Sequence, residues 1–182
     1  MCESCHPPAF GLNRRHFLSL FVPTIIAATA FPVHFAQAGA KTVELPAPGP
    51  NDTCPVCGMF VAKYPYWIAT VLYKDNHADH FDGSKDFFKY LLDMKKYARG
   101  RSRDQIAAMG VTGYYDPVRL DANEACFVMG SDVLGPMGHE LVPLVDEAEA
   151  KDFMNDHKGK RILRFADISM KMLNNLDQGK FE

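Results

Sequence analysis

Between Cys54 and Met59 the chain carries two thiols and a thioether, in the run Cys54-Pro55-Val56-Cys57-Gly58-Met59. Pro55 and Gly58 favour a tight turn at these offsets. The three sulfurs can therefore converge, and the rest of the chain has to be built around that corner. Soft sulfur donors select Cu(I), Zn(II) or iron–sulfur iron over hard cations. Zinc sites are built mainly from Cys, His and carboxylate, whereas Cu(I) accepts a thioether readily. The stretch points to a soft-metal site, with Cu(I) favoured.

The chain begins with a segment that reads as an address. Arg14 and Arg15 precede an apolar run from Phe17 to Phe35, which contains Pro23 and Pro32 and ends at Ala36-Gln37-Ala38. A basic pair, an apolar stretch and a small-x-small site are the parts of an export signal. Residues 1–38 are expected to be a twin-arginine-type signal peptide, and cleavage after Ala38 would start the mature chain at Gly39. A retained, Pro-broken membrane anchor is the alternative. Cys2, Cys5 and His6 fall in the segment expected to be removed. Of the five cysteines, Cys54, Cys57 and Cys126 would remain. That odd number in an oxidising compartment does not make a disulfide framework. A formal charge of -2 and the lack of a basic run argue against nucleic-acid binding.

Residues 39–51, with Pro46, Pro48, Gly49 and Pro50, are expected to form an extended tether without core contacts. Tyr66–Tyr73 and His77–Phe81 read as the strands of a hairpin around Lys74-Asp75-Asn76. Ser84 is the expected N-cap of an amphipathic helix to about Tyr97, with Phe87, Leu91 and Met94 on one face. Arg99 to Arg103 is a polar break before a short helix near Asp104 to Met109. Further strands are expected at Tyr114–Leu120, Ala125–Met129, Glu140–Val145 and Arg161–Phe165. Gly130–Gly138 reads as a loop, and helices are expected at Asp146–His157, with Gly159 as C-cap, and at Ile168–Leu176. Each half gives strands and then a helix. This is an α+β pattern in which two small strand–strand–helix modules pack together and leave a cleft.

A second soft cluster is Met137-Gly138-His139, set in a Gly/Pro loop rather than on a periodic apolar face. Met94, Met109, Met154, Met170 and Met172 sit at regular spacing and read as packing. His139 lies two residues from Met137, so an extended segment would turn both the same way. Two other readings of Cys54 and Cys57 stay open. A Cys-x-x-Cys in an exported protein can be a redox disulfide, although such motifs follow a strand and start a helix. That class includes a lyase-like thiol catalyst with Asp82 nearby. A structural zinc site from Cys54, Cys57, His77 and His80 is possible on paper, but His77 and His80 should face opposite ways on a strand. Cys126 lies in an apolar run and reads as an inert buried thiol.

Cys-Pro-Val-Cys-Gly-Met, Phe81-Asp82-Gly83, Met129-Gly130-Ser131-Asp132-Val133 and Pro136-Met137-Gly138-His139-Glu140-Leu141 occur in an order that resembles the NosL family. The resemblance covers residues 51 to about 168. It implies a core akin to organomercurial lyase and a periplasmic Cu(I) chaperone that is not an enzyme. Such a carrier would pass copper by ligand exchange to a cuproenzyme, nitrous oxide reductase being the implied client. The ligands it implies are Cys57, Met59 and Met137, with His139 a further one and Cys54 the less dependable cysteine. Many relatives look like lipoproteins with a cysteine at the cleavage site. Ala36-Gln37-Ala38-Gly39 has none, which implies a soluble periplasmic form and leaves membrane association open.

Overall fold

A computed structural model describes residues 39–181; the signal segment and Cys2, Cys5 and His6 lie outside the described residues. The first half contains β1 (Ala69–Tyr73), β2 (Ala78–Phe81), α1 (Ser84–Leu92), α2 (Met94–Tyr97), β3 (Ile106–Thr112) and β4 (Arg119–Asp121). The second contains β5 (Cys126–Gly135), β6 (Gly138–Leu144), α3 (Glu147–Asp156), β7 (Arg161–Arg164) and α4 (Met170–Asp177).

The chain folds as α+β, with two antiparallel sheets of order β2-β1-β3-β4 and β6-β5-β7. Both halves follow one plan. A strand pairs with its successor, a helix follows, and the next strand returns to the open side of the first. To the strand–strand–helix unit read from the sequence, the first sheet adds β3 and β4 and the second adds β7, at the expected closing strand.

Each layer follows from side-chain alternation. On β5, Phe127 and Met129 enter the larger core with Phe87, Phe88 and Leu91 of α1 and Leu173 and Leu176 of α4. Cys126 and Val128 face the other way, into a smaller core with Ala150 and Phe153 of α3. A strand covered on both faces needs an unbroken apolar run, which is why this one does not alternate. Phe88 of the first half meets Phe127 of the second edge-on, centroids 5.0 Å apart, a geometry that adds about 1 kcal/mol beyond burial.

Several local expectations are corrected. Ser84 is the first helical residue, and extended Gly83 takes the N-cap place without a side-chain cap. The helix to Tyr97 is broken at Asp93, whose carboxylate caps α2 by accepting from the Lys96 N–H. The stretch 104–109 is mostly β3, because pairing with β1 outweighs the helix preference of Ala107, Ala108 and Met109. Of Tyr114–Leu120 only the end is strand, and Trp67 precedes β1. Gly130–Gly138 is a hairpin rather than a loop, with a register shift between Met129 and Leu134. Lys158, not Gly159, holds the left-handed conformation after α3. Residues 39–45 are extended but not free. Ala40 is buried, its N–H donates to the Val145 carbonyl, and Thr42 bridges Leu120 of β4.

Candidate metal centre

The sulfur turn is closed by its own backbone. Thr53 bridges Phe60, the Cys54 N–H donates to the Met59 carbonyl at 2.8 Å, and the Gly58 N–H donates to the Cys54 carbonyl at 2.8 Å. Gly58 has φ +80°, a conformation other residues adopt only with strain, and a Cβ there would meet nothing. The glycine is thus needed for the path of the backbone and not for space.

The turn directs both thiols at the junction of β2 and α1. Asp82 follows β2, and Asp86 lies in the first turn of α1, where the helix dipole favours a carboxylate. The Cys57 thiol donates to Asp82 Oδ1 at 3.1 Å, and the Cys54 thiol to Asp86 Oδ2 at 3.6 Å. One donor atom from each of Cys54, Cys57, Asp82 and Asp86 lies within 4.8 Å of every other. Cys54, Asp82 and Asp86 are buried, and Cys57 is half-buried. Asp82 Oδ2 is buried without a hydrogen-bond partner. The Lys89 ammonium stands 3.5 Å from Asp86 Oδ1 and shares its charge with Asp177 at 2.8 Å.

The electrostatics follow from this crowding. Burial pushes the Cys54 thiol up to about 12, with Asp86 and Asp82 adding to the shift against the Cys57 and Val56 backbone hydrogen bonds. Burial also raises the Cys57 thiol, with Asp82 and Cys54 contributing. The two thiols, buried against carboxylates in one small volume, hold their protons until a cation takes their place. The donor set therefore fits a thiophilic cation.

A cavity of about 600 Å³ opens on the same turn. Its walls include Cys57, Asp86 and Lys89, together with Met137 from the β5–β6 hairpin tip and Met170 from α4. The cysteine motif and the Pro-Met-Gly motif thus meet in one space, through Cys57 and Met137. Cys54 lies on the other side of the turn, lining a second cavity of about 510 Å³ with His77, Asp79, Arg99 and Arg101.

The remaining expected residues lie at the margins. Met59 is half-buried at the end of the turn, outside the lining of the Cys57 cavity. His139 is on β6, with its ring edge-on to Phe181 at 4.9 Å and its Nδ1 buried without a partner. Gly138, at φ +83°, separates it from Met137, so the two do not alternate along one extended segment. His77 shares the second cavity with Cys54, but neither it nor His80 belongs to the cysteine–aspartate cluster. His80 contacts Thr70 Oγ1 through Nδ1 at 2.9 Å, and His77 contacts Asp79. Asp86 was legible only as a first-turn acid. Its spacing of four from Asp82 across a helix start is the signal that pairs them.

The comparisons with known proteins bear on this geometry. The family model described as NosL matches residues 47–173. The chain belongs to the NosL family. The match runs from before the sulfur turn to α4 and so encloses both motifs and both sheets. The copper-binding lipoprotein NosL of Stutzerimonas stutzeri is 28% identical over 130 residues, which cover 68% of this chain and 65% of that protein. The chain thus spans just under two thirds of that relative's length. The crystal structure of the copper chaperone NosL from Shewanella denitrificans has the same fold, with a TM-score of 0.59 at 23% identity over 70% of this chain and 97% of that one.

Proposed function

We propose that this chain is a cell-envelope Cu(I) carrier that passes copper to a cuproenzyme, with nitrous oxide reductase the family-implied client. The observation that carries the reading is the meeting of Cys57 and Met137 in one cavity. A thiolate and a thioether from separate segments make a soft, low-coordinate site. The cavity is open to an incoming ligand, so transfer can proceed through shared coordination without a general acid or base. Names borne by the relatives support the copper and the envelope setting. The division into a signal at 1–38, a leading segment at 39–51 and a copper-binding domain at 52–182 belongs to the same reading. Met59, His139 and Cys54 enter it as ligands offered by the motifs. The raised thiols run against a thiol catalyst, whose nucleophile needs a lowered pKa.

A second reading has its own support, since two thiols and two carboxylates also suit a zinc ion. Anaerobic titration with Cu(I), and separately with Zn(II), against a competing chelator separates the two. Tight Cu(I) binding that weakens in Met137→Leu supports the carrier. Tight zinc indifferent to Met137 overturns it.

A further inference from the structure

Among the described methionines, Met94, Met109, Met129 and Met172 belong to or pack against the larger core, and Met154 packs against the smaller one. Met170 does neither, although its spacing reads as packing. It is half-buried and lines the Cys57 cavity. The reason lies in the orientation of α4. Leu173 and Leu176 fill the core, while Met170, Asn174 and Asp177 follow the i, i+4, i+7 stripe of another face. Asn174 lines the same cavity. Asp177 accepts from Lys85 at 3.1 Å and from Lys89 at 2.8 Å, both on α1. Ser169 caps the helix through the Met172 N–H, which fixes Met170 as its first residue. The stripe is thus clamped to the helix that carries Asp86.

We propose that Met170 is a thioether ligand for Cu(I), facing Cys57 together with Met137; this rests on the carrier reading above. Three segments distant in sequence would then supply one thiolate and two thioethers, a donor set that holds Cu(I) and disfavours harder ions. No motif containing Cys-Gly-Met or Pro-Met-Gly assigns Met170 this role.

The test uses selenomethionine-labelled protein loaded anaerobically with one equivalent of Cu(I) and read by X-ray absorption at the copper edge. Met170→Leu and Met170→Gln keep side-chain size and helix propensity, so the apo thermal midpoint stays near that of the parent. Each variant is expected to lose one copper–selenium scatterer relative to the parent, and to bind Cu(I) about tenfold more weakly or worse. An unchanged scatterer number in both, with Met137→Leu losing one, overturns the role of Met170 and leaves the carrier reading in place. An unchanged number in all three variants removes the cavity as the copper site and takes both proposals with it.

Discussion

The Lys85 ammonium, almost wholly buried, donates to the carbonyl of Met137 at 3.1 Å. It also donates to the His139 carbonyl at 2.8 Å and pairs with Asp177 at 3.1 Å. One side chain at the start of α1 therefore holds the hairpin that presents Met137 and the helix that presents Met170. Its neighbour in sequence, Asp86, faces the cysteines. The Lys85 backbone N–H adds a bond to Glu140 Oε1 at 2.5 Å. The sulfur donors come from loops and helix ends, and the α1 start places them relative to one another.

Lys85→Met keeps the aliphatic stem and removes the charge. Two carbonyls lose their donor, and Asp177 keeps only Lys89. Charge-assisted hydrogen bonds of this kind contribute about 1.5–3 kcal/mol each before relaxation and water entry. The variant is expected to lose about 3 kcal/mol of stability and to bind Cu(I) more weakly because the hairpin tip is released. Urea denaturation and Cu(I) competition check both halves. An unmoved midpoint would show that the clamp does not hold the fold.

Gly83 lets Glu140 reach that helix start. A Cβ on residue 83 would clash with Glu140 Oε2, so Gly83→Ala pushes the carboxylate off the Lys85 and Leu141 N–H groups it serves. The extended backbone of Gly83 tolerates alanine, so the cost is purely steric, about 1–3 kcal/mol. Gly58→Ala supplies the contrast. It meets no atom but strains a left-handed residue, costing about 1 kcal/mol, and it shifts the turn. Stability should therefore fall further in Gly83→Ala, and Cu(I) affinity further in Gly58→Ala. Chemical denaturation and chelator competition on the two proteins decide it.

The sulfur turn, the first hairpin, the body of α1, the first part of β5 and α3 are legible in the sequence because each carries a clear period or turn signal, whereas the break of the first helix at Asp93 is not. The β3 strand is not legible, since Ala107-Ala108-Met109 prefers a helix until β1 offers pairing. Residues 130–135 are hidden by Gly130, Asp132 and Gly135, which read as a loop but continue β5 as the arm of a hairpin. At the site, the Cys57 and Met137 motifs can be read, and their proximity follows only from the resemblance. The Met170 role is illegible because helical spacing does not say which face a neighbouring helix will claim.

Proton release should accompany copper binding. With both thiols raised by burial and by the facing carboxylates, the apo thiols are protonated across the neutral range. Each thiol that binds Cu(I) as a thiolate then gives up one proton, so affinity rises with pH by about one decade per unit for each thiol engaged. The sign for apo stability is the opposite. An unfolded cysteine ionises near 9.0, whereas folded Cys54 holds its proton to about 12. The folded state therefore binds more protons in that window, and stability is full below pH 9 and lost as the pH climbs toward 12. Chelator competition at pH 6, 7 and 8, with urea midpoints at pH 8 and 10, tests both signs. A flat affinity profile would mean that no thiolate binds.

The two cysteines should differ in kind. Cys57 is half-buried and lines the cavity shared with both methionines, so Cys57→Ser is expected to lower Cu(I) affinity about a hundredfold or more, an alcohol being a poor soft-metal donor. Cys54 is 2% exposed and belongs to the larger core. Cys54→Ser exchanges a weakly polar thiol for a hydroxyl there. Asp86 can accept from it, so the stability cost is held to about 1–2 kcal/mol, with a smaller effect on copper. Competition titration and thermal melts of the two variants make the comparison. Equal losses of affinity would put Cys54 in the coordination sphere beside Cys57 and move the copper from the methionine-lined cavity toward the carboxylates.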